Sequence, residues 1–193
     1  MHPRCLQLVM SLLLLAGSGS YADDASVEVL DQATGMTAGV LREPIPFMET
    51  GIFDLLDTES KQATVIYLGP VEWDRSGELT YMLWVQFAPG VGGHRLDDIH
   101  APGAVTLKLD DGTVTLSAAE RFSKADNPYR LNPPVGQTAY FGLDVALLKR
   151  MAASKNFALS VRAADLTMVN FVSTRKTRTV LSKFIQEREL ADN

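Results

Sequence analysis

The chain has 193 residues, 46% apolar and 21% charged, with a formal charge of −5. Those values suit one globular domain and exclude a disordered or low-complexity chain. The acidic balance argues against nucleic acid as a partner, because phosphate binding needs a basic field.

The first residues read as an export signal covering 1–22. His2 and Arg4 make a weakly basic start, Leu6 to Ala16 form an apolar core, and Ser20-Tyr21-Ala22 offers small residues for cleavage after Ala22. An apolar run of about ten residues is too short for a membrane anchor. Cleavage takes Arg4 and Cys5 away, moving the formal charge from −5 to −6 and leaving 23–193 without cysteine. Disulfides, thiol catalysis and Cys-ligated metals are thereby excluded. Cys5 precedes the apolar core, so it is not placed as the lipidated cysteine of a lipoprotein. No later segment approaches the length of a membrane span. The expected location is periplasmic or secreted.

After Asp23, Val27 and Val29 alternate as a short edge strand would, and 34–41 is a second strand with glycine interruptions. Pro44 and Pro46 keep the next stretch extended and argue against central pairing. Residues 62–89 then write a β-hairpin: two apolar runs around the polar turn Asp74-Arg75-Ser76-Gly77. In the second run Leu79, Tyr81, Leu83, Val85 and Phe87 share one face. The other face holds Met82 and Trp84, so both are apolar and the strand is central. Trp73 and Trp84 belong in the core, since each buries about 150–250 Å², up to ~4–6 kcal/mol.

Residues 90–103 form a long connection without periodicity. Residues 104–118 are a second hairpin, with Asp111-Gly112 supplying the positive φ angles of a two-residue turn. The polar, proline-bearing 120–135 stretch reads as a surface excursion, and 138–143 as a strand. Asp144 caps a helix through 145–154, ended by Asn156. Phe157, Leu159 and Val161 alternate as a strand, Ala163-Ala164-Asp165 turns the chain, and 166–172 pairs back. Val180, Leu181, Phe184 and Ile185 form the apolar stripe of a C-terminal helix. The sum, seven or eight short strands and two late helices, predicts a mainly β single domain over 23–193. It is expected to be an antiparallel β-sandwich with one short helix and one C-terminal helix, or else a partly open β-barrel.

Several pieces in order resemble a set of small exported proteobacterial proteins of unknown function. They are Thr34-Gly35-Met36-Thr37 with Arg42-Glu43-Pro44, Tyr67-Leu68-Gly69-Pro70-Val71-Glu72 with Arg75-Ser76-Gly77, and Tyr81-Met82-Leu83-Trp84. The likeness spans about residues 32–87. Trp73 and Asp74 depart from its pattern, which has a smaller residue and an Asn there. The resemblance implies an envelope location and no particular activity.

Chemistry is most concentrated in the 90–103 loop, where His94, Asp97, Asp98 and His100 could ligate zinc or another divalent transition metal. His94 and His100 are six apart, which separates them on a helix and places them about 20 Å apart on a strand. Only a chain reversal gathers them. The plainer reading is a solvated loop in which Asp97 or Asp98 caps a helical turn. Gly90-Val91-Gly92-Gly93 lacks the Lys-Ser/Thr of a phosphate loop, and the mature chain holds no Gly-x-Ser-x-Gly elbow. Turn chemistry accounts for Asp110 and Asp111, and solvation for Glu72 and Glu78. Arg175, Lys176 and Arg178 form a small basic cluster that suits a solvated helix face or anionic lipid. The expectation is therefore a non-enzymatic binding module of the bacterial envelope without cofactor, its partner another protein or an envelope component. The alternative is a metal- or small-ligand-binding protein that uses the His94–His100 loop.

Overall fold

The computed structural model describes residues 25–50, 64–88, 98–119, 127–129, 136–173, 177–188 and 190. The fold is mainly antiparallel β, and it is built outward from the long hairpin. Strands β4 (Val65–Arg75) and β5 (Glu78–Ala88) pair end to end, from Val65↔Ala88 to Arg75↔Glu78. Ser76 (φ 56°) and Gly77 (φ 90°) make the reversal, and Asp74 Oδ1 accepts from the Gly77 N–H at 2.6 Å. Two successive positive φ angles are what a tight two-residue hairpin turn demands.

The second edge of β4 is shared between two strands. β3 (Ile45–Glu49) pairs with residues 65–68, and β2 (Thr37–Leu41) with 71–74. They follow one course along β4, interrupted at Arg42-Glu43-Pro44, and the sheet divides there. β1 (Ser26–Leu30) extends from β2 on one side. On the other side β10 (Met168–Ser173), β9 (Ala158–Arg162), β6 (Val105–Leu109) and β7 (Gly112–Thr115) follow β3 in that order. β8 (Thr138–Gly142) lines the free edge of β5. After β7 the chain swings back to β8, where Ala118↔Phe141 is an isolated bridge rather than a ladder. The sheet curls round one core and remains open, in the manner of a sandwich.

The fork at Gly69-Pro70, where neither β2 nor β3 pairs, is filled by a side chain. The Tyr129 hydroxyl donates to Pro70 O (2.7 Å) and accepts from the Leu41 N–H (3.1 Å), satisfying two backbone groups that no strand reaches. Its ring packs on Trp84, centroids 4.6 Å apart. A Cβ on Gly69 would lie 2.2 Å from the Tyr129 hydroxyl oxygen, so glycine makes the room. The 120–135 stretch is therefore not all a surface excursion, since Tyr129 is buried inside it.

Trp73 and Trp84 are both buried, as their area requires, and Met82 to Phe87 are buried on both faces of β5. Asp144 caps α1 (Val145–Ala153), its Oδ1 accepting from the Leu147 N–H at 2.6 Å. The helix ends at Ser154 rather than Asn156, whose side chain turns to Asp110. α2 (Thr177–Glu187) buries Leu181, Phe184 and Ile185 and packs on α1.

Two local expectations fail for identifiable reasons. β3 is a paired central strand despite Pro46: β4 pairs with Ile45–Met48 on one side, and among the described residues β10 pairs with Phe47–Glu49 on the other, clear of the proline. The second hairpin turns on Asp110-Asp111, with Gly112 already paired to Leu109; Gly112 has positive φ (141°) and Asp111 does not. The two successive positive φ angles predicted for Asp111-Gly112 are found instead at Ser76-Gly77.

Candidate functional site

Of the four sequence-selected ligands, His94 and Asp97 lie outside the described residues, as do Gly90 to Gly93. Asp98 and His100 are brought together, but through the backbone. Asp98 Oδ1 accepts from the His100 N–H (2.9 Å), and Asp98 O accepts from the Ala101 N–H (2.9 Å). Ile99 between them is fully buried and anchors this turn, while His100 is exposed. Asp98 thus performs the turn-capping role. Among the described residues no three His, Cys, Asp or Glu side chains gather as a metal would require.

A groove of about 590 Å³ lies elsewhere, where the α1–β9 connection, the end of β10 and the start of α2 converge. Phe157, Ala158 and Val172 give it apolar surface, Ser173 and Thr177 add hydroxyls, and Lys155 and Arg178 stand exposed at its rim. The strand register explains this lining: Val172 is paired with Ala158, and both turn away from the core side occupied by Phe171 and Leu159. Among the described residues the lining holds no acidic side chain, although the whole chain carries −5. That volume is within the usual range of small-ligand sites, roughly 300–1,000 Å³.

The acidic groups near the groove, Asp110 and Asp111, are exposed but already engaged by neighbouring residues. Asp110 accepts from the N–H groups of Lys155 (2.6 Å) and Asn156 (3.1 Å) and from the Asn156 side chain (2.8 Å). The Lys155 amide, then the Asn156 contacts and the Lys155 charge, hold its carboxyl below the usual range against some desolvation. Asp111 is held low chiefly by its hydrogen bond to Arg150, with Nε at 2.7 Å. Both residues tie the β6–β7 turn to the end of α1.

Glu72 departs furthest from its expected solvated role. It is buried, its Oε1 accepts from Arg188 Nε at 2.9 Å, and Arg188 Nη2 makes a second contact. Burial first, then the charge and hydrogen bond of Glu72, push the Tyr81 phenol above its ordinary value, opposed by Arg188. This cluster holds the C-terminal segment to the sheet.

Arg178 belongs to the basic cluster visible in the sequence, but Arg175 and Lys176 lie outside the described residues. Lys155 and Val172 carried no separate signal, because only the register places them beside α2. Among the described residues, no helix is long and apolar enough to cross a membrane. No family model, curated protein or solved structure matches the chain.

Proposed function

We propose that the protein is an exported module of the bacterial envelope, periplasmic or secreted, that works by binding rather than by catalysis. The partner engages the groove between the α1–β9 connection and α2. The observation that carries this reading is the basic, partly apolar lining of that groove in an otherwise acidic chain. Such a surface favours a partner of opposite charge and orients its approach. Three further features support the reading. The carboxylates with displaced titration, Asp110, Asp111 and Glu187, are each engaged by backbone amides or an arginine in holding elements together. The leader-like residues 1–22 end just ahead of β1, which starts at Ser26. The likeness to small exported proteobacterial proteins fits the same location.

A photo-crosslinking residue introduced at Val172 tests the site, with Leu79 on β5, exposed at the opposite end of the long hairpin, as a second position. In cells, Val172 is expected to yield a discrete adduct that Leu79 does not. Equal adducts at both positions, or none at Val172, would reject the groove as the contact surface.

A further inference from the structure

Two consecutive residues at the end of α2 hold the first strand of the fold. Glu187 accepts from the N–H groups of Ala25 (2.8 Å) and Ser26 (2.7 Å) and from the Ser26 hydroxyl (2.7 Å). Arg188 reaches past β1 to the sheet, donating to Glu72 from Nε (2.9 Å) and to Glu28 from Nη1 (2.9 Å). Register makes its seat: Glu28, Gly39, Glu72 and Tyr81 are direct cross-strand neighbours on β1, β2, β4 and β5. A Cβ at Gly39 would lie 2.6 Å from the Arg188 guanidinium carbon. The guanidinium therefore rests in the gap that glycine leaves in this row.

The same contacts close an edge. Arg42 N–H donates to Ala25 O, so Ser26, Glu28 and Leu30, in alternation, turn their backbone groups to the outer side of β1. An edge strand of this kind invites pairing with another chain unless it is covered. Glu187 covers it at Ser26.

We infer that Glu187 and Arg188 form an acid-released strap, which holds β1 and closes its edge while the carboxylates are ionised. Protonation frees β1 and the C-terminal segment together and leaves the rest of the sheet folded. The charges facing one another come from every element at the site: Glu28 on β1, Arg42 after β2, Glu72 on β4, Tyr81 on β5, and Lys183, Glu187 and Arg188 in the C-terminal segment. At neutral pH, three carboxylates face three cations. Protonation of Glu187 removes its share of the negative charge and leaves Arg42, Lys183 and Arg188 less well balanced. Release stays local because, among the described residues, β1 pairs only with β2, at the end of the sheet, and Glu187 is exposed.

The direction of titration agrees. Partial burial raises the Glu187 carboxyl, but the Ala25 amide, the Ser26 hydroxyl and amide, and Lys183 outweigh it and hold the group below its ordinary value. Its contribution is therefore present above the unfolded carboxylate range and is lost as pH falls through the lower, folded value.

Amide hydrogen exchange by NMR tests the strap on the full mature chain. Between pH 7 and pH ~3.5, protection at Ser26 is expected to fall by roughly tenfold or more as its acceptor is lost. Protection at Phe47 and Leu159 is expected to hold. Glu187→Gln, an exposed and nearly isosteric change, is expected to leave Ser26 weakly protected at every pH. A parallel fall at all three amides would overturn the inference, as would an unaltered acid response in Glu187→Gln.

Discussion

At Gly69 the fold depends on the absence of one methyl group. The Tyr129 hydroxyl occupies the place where a Cβ would stand and satisfies Leu41 N–H and Pro70 O in the fork of the sheet. Burial pushes the Tyr129 phenol far above its ordinary value, so it stays neutral and able to donate. Gly69→Ala must expel that hydroxyl or shift β4, combining overpacking with unpaired buried polar groups. Urea denaturation is expected to show a loss of about 2–4 kcal/mol; an unchanged midpoint would mean that Tyr129 is not fixed there. Glu72 and Arg188 allow a second residue-scale test. Arg188→Met leaves the buried Glu72 carboxylate without its cation and is expected to cost about 3–5 kcal/mol. Replacing both residues with methionine is expected to recover much of that loss, because the stranded charge is gone. Trp73 and Trp84 were legible from the sequence because large apolar area overrides local context. Tyr129 was not, since polar neighbours and prolines surround it and its partners are backbone atoms 59 and 88 residues away. Glu72 was missed for a related reason: its cation arrives from a position 116 residues later.

Elements were readable wherever one face is consistently apolar. Periodicity gave the hairpins, both helices and the Asp144 cap, all of which depend on nearby residues. Turn detail was less readable. Asp-Gly and Ser-Gly both supply turn chemistry, and only the register decides which residues take positive φ. β3 shows the same limit, because one proline, Pro46, does not keep the strand from pairing with both β4 and β10. The Asp110-Asp111 turn has a consequence for acid stability. Its carboxyls are held low by the Lys155 amide and by Arg150 respectively, so their contribution is present above the ordinary carboxylate range and is lost as pH falls through the depressed values. Thermal melts are expected to show a flat midpoint near neutrality and a decline below pH ~4. The combined change Asp110→Asn with Asp111→Asn is expected to lower the neutral plateau and flatten the acid limb. An acid limb identical to that of the unmodified chain would assign the loss to other carboxylates.

On the scale of the whole molecule, composition and pattern led to a mainly antiparallel β fold with two late helices, and that is the architecture found. The division of the sheet along β4 was not readable, because two short strands sharing one edge look the same in sequence as two strands on separate edges. The groove depends on that long-range arrangement, with Lys155, Val172 and Arg178 contributed by three different elements. Charge reversal there tests the binding account most directly. Arg178→Glu leaves the core and the Asp110 contacts untouched and places an acid at the rim, so the thermal midpoint is expected to hold while the Val172 adduct disappears. Retention of that adduct at full yield, in a protein that still melts as before, would contradict the account.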